Sequence, residues 1–562
     1  MKNKILILAA LAGASVMFSS CEDYLDQTNT YQANPETFFD SDEAVSYATA
    51  PLYNYVWNDF NGKFYYSVGD GRANNLTARW SDYIYPYTNF TETANSPGLE
   101  DAWGAFYSVV AQSNNTINNI AQKCGPAVSE QARIQGMAEA RFMRGLAFWY
   151  LGSVWGKAII YTDTQEAARN VVRPANRLED VIEFAIRDME YAAANLSPVQ
   201  ANPGRVTCYS AYGMLSRFYL SMAGLTTEGQ YDGTNIATDH NRGTRNPYYL
   251  DLAAKAALKC MEGPYELMPS YGDLFTVEKW NNNSESVFQL QWLQGSTDAI
   301  GWGAANSISA FFSWSTMVGE TNWGNATYAS YDMVRTYKPE DFAVRRHYTI
   351  ATVGESYPQL NKKGGGYTYN VTETGYENKC NVVKHVIGKL DDNGQSYQQS
   401  SGVNTYMMRL AEVYLNYTEA VMGNNSTLTG EDNLKYFNLV RTRAKVPAKS
   451  SITYEDLRYE RRIELAYEGQ YWYDLLRRSY YQEEEVIGYL NSQERNAGYE
   501  WDENEICQYA KTGDGTGVST ATKQHLTFPV SNVDLTRNPK LKDEPVAYEF
   551  PEREIETSTL FN

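Results

Sequence analysis

The sequence predicts an all-α protein built as a stack of paired helices, with long loop insertions and little β-structure. Apolar residues recur at helical spacing in segment after segment, without strand-like segments between most of them. Helical segments that are neighbours in the chain also have similar lengths, which favours stacked hairpins. No exact tetratricopeptide consensus is present, so any repeat in this stack is degenerate.

The first helix is predicted over residues 38–57, where Asp40 or Ser41 can cap its N-terminus and Pro51 can kink it. From Glu100 onward, helical spacing dominates. The further helices are predicted at about 103–120, 137–150, 177–195, 208–223, 250–261, 331–337, 405–423, 430–443 and 453–479. Residues 341–403 are expected to be β-rich or irregular, and the chain after 481 is expected to be mostly loop.

Long polar loops divide these helices. Residues 58–99 are rich in Asn, Gly, Tyr and Thr, and two further loops run over 224–249 and 280–330. Loops longer than about 15 residues in a compact protein are usually functional or disordered. We therefore predict one domain over residues 38–562. Its helical scaffold would lie at about 38–223 and 405–480, with ligand-binding insertions at about 58–99 and 224–403.

Residues 1–20 have the parts of an export signal. Lys2 and Lys4 precede an apolar run from Ile5 to Phe18, which is shorter than the roughly 20 residues that span a bilayer. Small residues then lead to Cys21, whose thiol and freed amine could both carry acyl chains. Two or more chains anchor firmly, because each buried methylene contributes about 0.8 kcal/mol. The alternative is an ordinary secretory signal in which Cys21 is incidental.

Two features flank this proposed lipidation site. Phe18 stands three residues before the cysteine, where lipoprotein signals usually carry Leu. Residues 21–37 are acidic and then polar, which is typical of a tether that carries a domain away from the membrane. The sequence thus predicts a signal peptide over 1–20 and a tether over 21–37.

Composition excludes several classes of function. The formal net charge of −19 argues against nucleic acid, whose phosphates need Lys and Arg, and against electrostatic docking on anionic lipid. The six cysteines and four histidines form no CxxC motif and no metal-ligand cluster, which disfavours a zinc site or a histidine-based catalytic site. Without Cys21 the cysteine count is odd, and we expect small buried hydrophobes rather than a disulfide framework.

Aromatic residues are in excess, with 46 Tyr, 12 Trp and 14% aromatic residues overall. On a surface, such side chains form apolar platforms with polar edges. Sugar rings have apolar C–H faces and hydroxyl rims, so a Trp or Tyr platform beside Asn, Asp, Arg and Gln suits a glycan. A tyrosine-rich core would give the same composition, so composition alone leaves both interpretations open.

Four segments carry a resemblance to a known family. They are the segment from Ala138 to Gly145 that runs on to Trp155–Gly156, the segment Met408–Leu415 with Glu419–Ala420, the segment Glu460–Gly469 with Trp472–Leu475, and Phe528–Pro529–Val530 with Asn538–Pro539 and Leu541. Together and in this order they resemble the SusD/RagB family of surface glycan-binding lipoproteins, from Cys21 to the C-terminus. The resemblance implies an α-α superhelix of tetratricopeptide-like hairpins.

The resemblance also implies a partner, a place and a site. The family faces the cell exterior from the outer membrane, held by its lipid, and passes oligosaccharides or polysaccharides to a SusC-like TonB-dependent transporter. Its glycan platform combines an aromatic residue of the early loop with aromatics of the middle insertion, which here implies Trp80 with Trp302, Trp314 and Trp323. We add loop residues of suitable chemistry, namely Arg72, Asn75, Tyr83 and Trp292. In contrast, Trp103, Trp149, Trp155 and Trp472 are expected to be core residues.

Two alternatives to glycan capture remain open. Glu460, Glu464 and Glu468 stand four apart, so two of them could form the carboxylate pair of a glycoside hydrolase. The competing interpretation, which we favour, is a charged network that fixes this helix to the scaffold. A RagB-like peptide-binding protein is the other alternative. We expect no catalytic residues and no cofactor, although the acidic turn at Asp391–Asp392–Asn393 could hold a structural calcium ion.

Overall fold

A computed structural model of the chain describes residues 38–78, 83–294, 305–313, 315–319, 327–370, 379–389, 392, 394 and 400–561. The helices are α1 Asp42–Thr49, α2 Tyr85–Thr88, α3 Leu99–Lys123, α4 Glu130–Trp155, α5 Thr164–Arg169, α6 Leu178–Asn195, α7 Cys208–Leu225, α8 Pro247–Met261, α9 Val277–Trp280, α10 Ile308–Phe312, α11 Ser315–Val318, α12 Tyr331–Thr336, α13 Leu410–Met422, α14 Glu431–Arg443, α15 Tyr454–Glu464, α16 Tyr471–Ser479, α17 Glu483–Ser492 and α18 Asn532–Arg537. The strands are β1 Leu76–Ala78, β2 Lys157–Ala158, β3 Asn176–Arg177, β4 Ser286–Leu290, β5 Thr327–Ala329, β6 Ser356–Tyr357, β7 Tyr367–Thr368, β8 Thr405–Arg409, β9 Thr427–Thr429, β10 Ser451–Thr453, β11 Gly498–Trp501 and β12 Tyr509–Gly513.

The long helices stack in sequence, as predicted. α3 packs on α4, α4 on α6, α6 on α7, α7 on α8, and α8 on α13, which then contacts α14 and α15. Local sequence sets their ends: Ser129 caps α4 by accepting the Ala132 N–H, and Gly156, at φ +69°, ends the helix. Two glycines let α4 and α6 approach closely, since a Cβ on Gly145 or Gly152 would press against α6. The fold is therefore a superhelix of antiparallel helices.

The strands of the described residues are short and form two-stranded antiparallel sheets, with a few isolated bridges besides, of which Asn176–Val546 is parallel. β4 pairs with β8, which leads directly into α13, and β1 pairs with β5, whose partners stand at least 249 positions apart in the chain (Ala78 and Thr327). The first of these pairs ties the middle insertion to the scaffold, and the second ties the early loop to that insertion. Among the described residues no helix is both long and apolar enough to cross a bilayer.

The early segment differs from its prediction. α1 ends at Thr49, and 3₁₀ turns follow at Ala50–Tyr53, the position of Pro51. Residues 58–78 and 83–99 are not an open loop: helical turns form at Phe60–Phe64 and Ser67–Gly71, and most side chains of these two ranges are buried. Aromatic side chains drive this burial: Trp57, Phe60, Phe64 and Tyr66 are each at most 1% exposed.

Three other elements differ from their predictions. The single helix expected over 453–479 is broken between α15 and α16, where Tyr467 and Gly469 adopt positive φ. α8 packs between α7 and α13, so it belongs to the scaffold rather than to an insertion. The tail after 481 contains α17 and the β11–β12 hairpin. Helical spacing alone did not reveal these features, since positive φ and hairpin pairing leave no periodic signal.

The interior agrees with the sequence in two respects. Trp103, Trp149, Trp155 and Trp472 are buried in the main core, as predicted. The five cysteines of the described residues are all free thiols, and Cys260, Cys380 and Cys507 are buried. The thiols thus serve as small packing groups rather than as a disulfide framework.

Candidate ligand-binding site

The β1–β5 pair brings together the two loops on which Trp80 and Trp323 were predicted. Ala78 at the end of β1 lies opposite Thr327 at the start of β5, and Leu76 lies opposite Ala329. The chain leaves β1 after Ala78 and enters β5 at Thr327, so both loop stems stand at the same end of the ladder. Ser330, directly after β5, donates its N–H to the carbonyl of Asn75 at 3.0 Å and closes the other end.

A chain of aromatic rings runs from this region into the core. Tyr83, which is half-buried, meets the edge of Phe311 with ring centroids 5.8 Å apart. Tyr66 lies 5.2 Å from both Phe311 and Phe312, and Phe312 stacks on His385 at 5.5 Å. Phe311 and Phe312 belong to α10, which ends two residues before position 314. The exposed part of Tyr83 is thus the outer end of a rigid aromatic column.

Lys63 adds a charge to this surface. Its Nζ lies 5.1 Å from the centroid of the Tyr83 ring, at cation–π distance. The sequence analysis missed Lys63, Tyr66 and Phe311. The one signal that could have revealed the cluster was the pair Phe311–Phe312, which falls between the predicted Trp302 and Trp314.

Asn306 fixes the third loop stem. Its backbone pairs in both directions with Ser401, at 2.8 and 2.9 Å, and its side-chain amide donates to the carbonyl of Val403 at 2.8 Å. Asn61, from the early segment, donates to the Asn306 side-chain oxygen at 3.1 Å. This buried asparagine pair joins the early segment to the middle insertion four residues after position 302.

The predicted site residues fall into three groups. Trp80, Trp302, Trp314 and Trp323 lie outside the described residues, as do Cys21, Asp391 and Asn393. Tyr83 is half-buried and contacts Phe311 and Lys63. Arg72, Asn75 and Trp292 are buried, at 0%, 0% and 4% exposure, so in this conformation they present no surface to a ligand.

Arg72 stabilises the interior. Its guanidinium forms two parallel hydrogen bonds of 2.6 Å with the carboxylate of Glu92. Three rings surround it, those of Phe90, Phe528 and Trp472, with centroids 4.6, 4.8 and 5.4 Å from its Cζ. Burial lowers the Arg72 pKa, and the Glu92 carboxylate opposes this. Since Phe528 and Trp472 belong to two of the family-like motifs, Arg72 joins those motifs to the early segment.

Asn75 and Trp292 have comparable interior roles. Asn75 donates its amide to Asp70 at 2.8 Å and accepts from Arg462 Nε at 2.9 Å. Trp292 donates its indole N–H to Thr405 Oγ1 at 2.9 Å, on strand β8. Both side chains carry hydrogen-bonding groups that would suit a ligand site, but here those groups form hydrogen bonds with buried partners.

Asp70 holds the early segment against the break between α15 and α16. Its carboxylate accepts the N–H groups of Tyr467 and Gly469, both at 2.9 Å. Burial raises the pKa of Asp70 to about 6, while its hydrogen bonds from Asn75, Gly469 and Tyr467 act in the opposite direction. Gly69 is required here, since a Cβ at that position would collide with the backbone of Gly469.

Glu460, Glu464 and Glu468 take part in a charged network, as the favoured interpretation of the sequence predicted. All three are buried. Glu460 binds Arg345 and, at 2.8 Å, Arg441. Glu464 pairs with Arg443 and, at 3.1 Å, with Arg409. Glu468 pairs with Arg409 at 2.6 Å and with Lys384 at 2.7 Å. Glu468 lies beyond the end of α15, so it does not share a helix face with Glu460 and Glu464. The turn between α15 and α16 brings it to Arg409.

Other arginines of the scaffold also have carboxylate partners. Arg144 binds Asp188 at 2.7 Å inside the α4–α6 interface, and Arg217 binds Glu412 at 2.7 Å between α7 and α13. Arg141 pairs with Glu554 on the outside. Buried His385 is held neutral, because burial lowers its pKa to about 4. In the described ranges, no group of three His, Cys, Asp or Glu side chains is arranged to hold a metal ion.

Comparison with known proteins identifies the family of this chain. A model of the SusD family matches residues 276–546, and a model described as "Starch-binding associating with outer membrane" matches residues 23–220. A SusD-like protein of Bacteroides ovatus is 37% identical over 578 aligned positions, covering 98% of this chain and 99% of that protein. The starch-binding protein SusD of Bacteroides thetaiotaomicron is 23% identical, with 73% of each chain covered.

Solved structures extend the comparison to the fold. A structure determined with a xylogluco-oligosaccharide is 35% identical, covers 91% of this chain and 100% of that chain, and superposes with a TM-score of 0.79. A laminarin-binding SusD-like protein is 18% identical, with a TM-score of 0.65 and coverage of 89% and 98%. With a full-length relative at 37% identity, the chain belongs to the SusD family.

Proposed function

We propose that this protein is a non-catalytic, cell-surface glycan-binding lipoprotein. Its site would be a platform of Trp80, Tyr83, Trp302, Trp314 and Trp323. The observation that carries the proposal is that the early segment and the middle insertion are joined at three places: Ala78 pairs with Thr327, the Tyr83 ring contacts Phe311, and Asn61 donates a hydrogen bond to Asn306. Stacking of sugar rings on aromatic faces would supply most of the affinity, and polar groups at the rim would set orientation.

The similarity to the structure with a bound xylogluco-oligosaccharide supports oligosaccharides of that class as the first ligands to test. In isothermal titration calorimetry we expect the protein to bind such an oligosaccharide. Trp80→Ala and Trp314→Ala should each weaken binding by about 10- to 100-fold, the loss of one stacked ring. Trp501→Ala is the matched control, because that half-exposed indole packs against Tyr509 in the β11–β12 hairpin. Unchanged affinity in both site variants would refute the proposed platform.

The non-catalytic part of the proposal has a separate test. The carboxylates with the most suggestive spacing are buried in ion pairs with arginine and lysine, which supports binding without hydrolysis. We expect no release of reducing ends when the protein is incubated with a glycan that it binds. Release of reducing ends that stops when the purified protein is denatured would refute this part.

Attachment and partnership complete the proposal. We propose a lipid on Cys21, an address on the outer face of the outer membrane, and delivery of the glycan to a SusC-like TonB-dependent transporter. The family model's description and the signal-like N-terminus support this address. Mass spectrometry should find a mature N-terminus at an acylated Cys21, and the transporter should co-purify from detergent-solubilised membranes. An unmodified Cys21, or cleavage elsewhere, would contradict the anchor.

A further inference from the structure

One cavity of the described residues has none of the candidate glycan-site residues in its lining. It has a volume of about 790 Å³ and opens between the N-terminus of α6, the C-terminal end of α16 and the segment 522–527. Its floor is formed by leucines, among them Leu225, Leu476 and Leu526, which are 2%, 3% and 6% exposed. This volume lies in the range of small-molecule sites, and an apolar floor is what such sites usually have.

Two acidic side chains are among the polar groups that line this cavity. Glu179, in the first turn of α6, lines it together with Glu483 and His240. Glu483 already has a cation, since Lys523 Nζ lies 3.0 Å from its carboxylate. Glu179 has no ion-pair partner among the described residues, and the neighbouring Arg177 binds Asp180 instead, at 2.7 Å. Burial raises the pKa of Glu179, while a hydrogen bond from its own backbone N–H opposes this.

The walls of the cavity are held in place before any ligand binds. Arg242 donates to the carbonyls of Tyr480 at 3.0 Å and Thr226 at 3.2 Å, which ties the loop after α7 to the end of α16. The N–H of Glu483 donates to the carbonyl of His240 at 3.0 Å, and His240 Nδ1 lies 3.3 Å from the Tyr480 oxygen. A preformed cavity loses little conformational entropy when a ligand enters it.

From these features we infer that the cavity binds a small organic amine, with its ammonium group at Glu179 and its apolar body on the leucine floor. The leucines favour an aliphatic or aromatic body. The unpaired carboxylate would gain a charge-assisted hydrogen bond from an ammonium group. Anions are disfavoured by Glu179 and Glu483, because Lys523, the lysine of the lining, is already paired with Glu483. Sugars are disfavoured because Tyr480 is the one aromatic side chain of the lining.

Titration of the purified protein with n-hexylamine tests this inference, with n-hexanol and hexanoate as neutral and anionic ligands of equal length. We expect hexylammonium to bind at least tenfold more tightly than either analogue, and Glu179→Gln to weaken its binding about tenfold. Glu130→Gln is the matched control, since Glu130 is an exposed acid in the first turn of α4. It should leave hexylamine binding unchanged.

Two further measurements locate the amine. Gln524→Trp should block the mouth of the cavity and abolish binding even if Glu179→Gln were misfolded. A crystal soaked with hexylamine should show the amine against Glu179. Equal affinity for hexylamine and hexanol, or unchanged hexylamine binding in both variants, would overturn the inference. Glycan affinity should be the same in Glu179→Gln as in the wild type, so this test is independent of the proposed glycan site.

Discussion

Gly69→Ala tests the close contact between Gly69 and Gly469, which fixes the early segment beside the candidate ligand-binding site. Gly69 packs on Gly469, and a Cβ at position 69 would collide with the Cα, carbonyl carbon and carbonyl oxygen of that residue. The obstacle is backbone, so no side chain can rotate away. Gly469 itself is fixed by φ +68° and by Tyr65, whose ring a Cβ at position 469 would approach to 2.7 Å. The added methyl must therefore push apart the turn at Ser67–Gly71 and the turn at 465–470.

The size of the effect follows from two losses. Overpacking against a rigid neighbour costs about 1–3 kcal/mol. Separation of the turns also lengthens the hydrogen bonds from Tyr467 and Gly469 to Asp70, each worth about 1.5–3 kcal/mol because Asp70 can carry charge. We expect a total loss of about 3 kcal/mol in the free energy of unfolding. For 562 residues the unfolding entropy is about 1.2 kcal/mol per kelvin, so Tm should fall by only about 2.5 °C.

Urea denaturation followed by tryptophan fluorescence resolves such a change better than Tm alone. Gly488→Ala is the matched control, because Gly488 is exposed in α17 and a Cβ there would meet nothing within 4 Å. That variant should gain about 1 kcal/mol, the difference in helix propensity between Ala and Gly. The two substitutions add the same methyl group, yet they should move the midpoint in opposite directions. A Gly69→Ala midpoint equal to or above that of the wild type would refute the reasoning.

Three further predictions concern the buried polar groups and the cysteines. Burial opposes ionisation of Glu468, but Arg409 and Lys384 lower its pKa to about 2, so its stabilising contribution of about 3 kcal/mol is present above the unfolded pKa near 4.3 and lost as pH falls towards 2. The difference in unfolding free energy between wild type and Glu468→Gln should therefore shrink over that range, and a difference independent of pH would contradict this origin. Arg72→Lys should lower the unfolding free energy by about 2–3 kcal/mol, since lysine cannot form the two-bond pair with Glu92 inside three rings, and an unchanged urea midpoint would argue against that role. A Cys21→Ala variant, titrated with a thiol reagent in denaturant without reductant, should show five free thiols, whereas three would reveal a disulfide.

Much of the fold could be predicted from the sequence, because apolar periodicity directly encodes an amphipathic helix. α3, α4, α6 and α7 were located in this way. The helical turns at Phe60–Phe64 and Ser67–Gly71 could not be predicted, since their aromatic residues follow the spacing of short turns rather than of a long helix. The break after α15 was also invisible, because positive φ at Tyr467 is imposed by tertiary contacts and not by residue type.

The site was harder to predict, for a physical reason. Arginine and tryptophan combine an apolar body with hydrogen-bond donors, and asparagine carries both a donor and an acceptor, so all three suit a glycan site and a polar core equally well. Arg72, Asn75 and Trp292 satisfy the chemical criteria for ligand contact, yet each has its partners in the interior. Tyr83 also satisfies these criteria, but it is half-buried, with an edge contact to Phe311. Sequence can therefore select the residue types of a site, but exposure separates ligand contacts from core contacts.

The contacts between scaffold and site form one continuous path. Arg409, at the junction of β8 and α13, binds Glu468, and the turn that holds Glu468 presents two N–H groups to Asp70. Asp70 holds Asn75, whose carbonyl accepts from Ser330 beside the β1–β5 pair. Every link is buried and makes a charged or backbone hydrogen bond, so the loop stems have fixed positions on the superhelix.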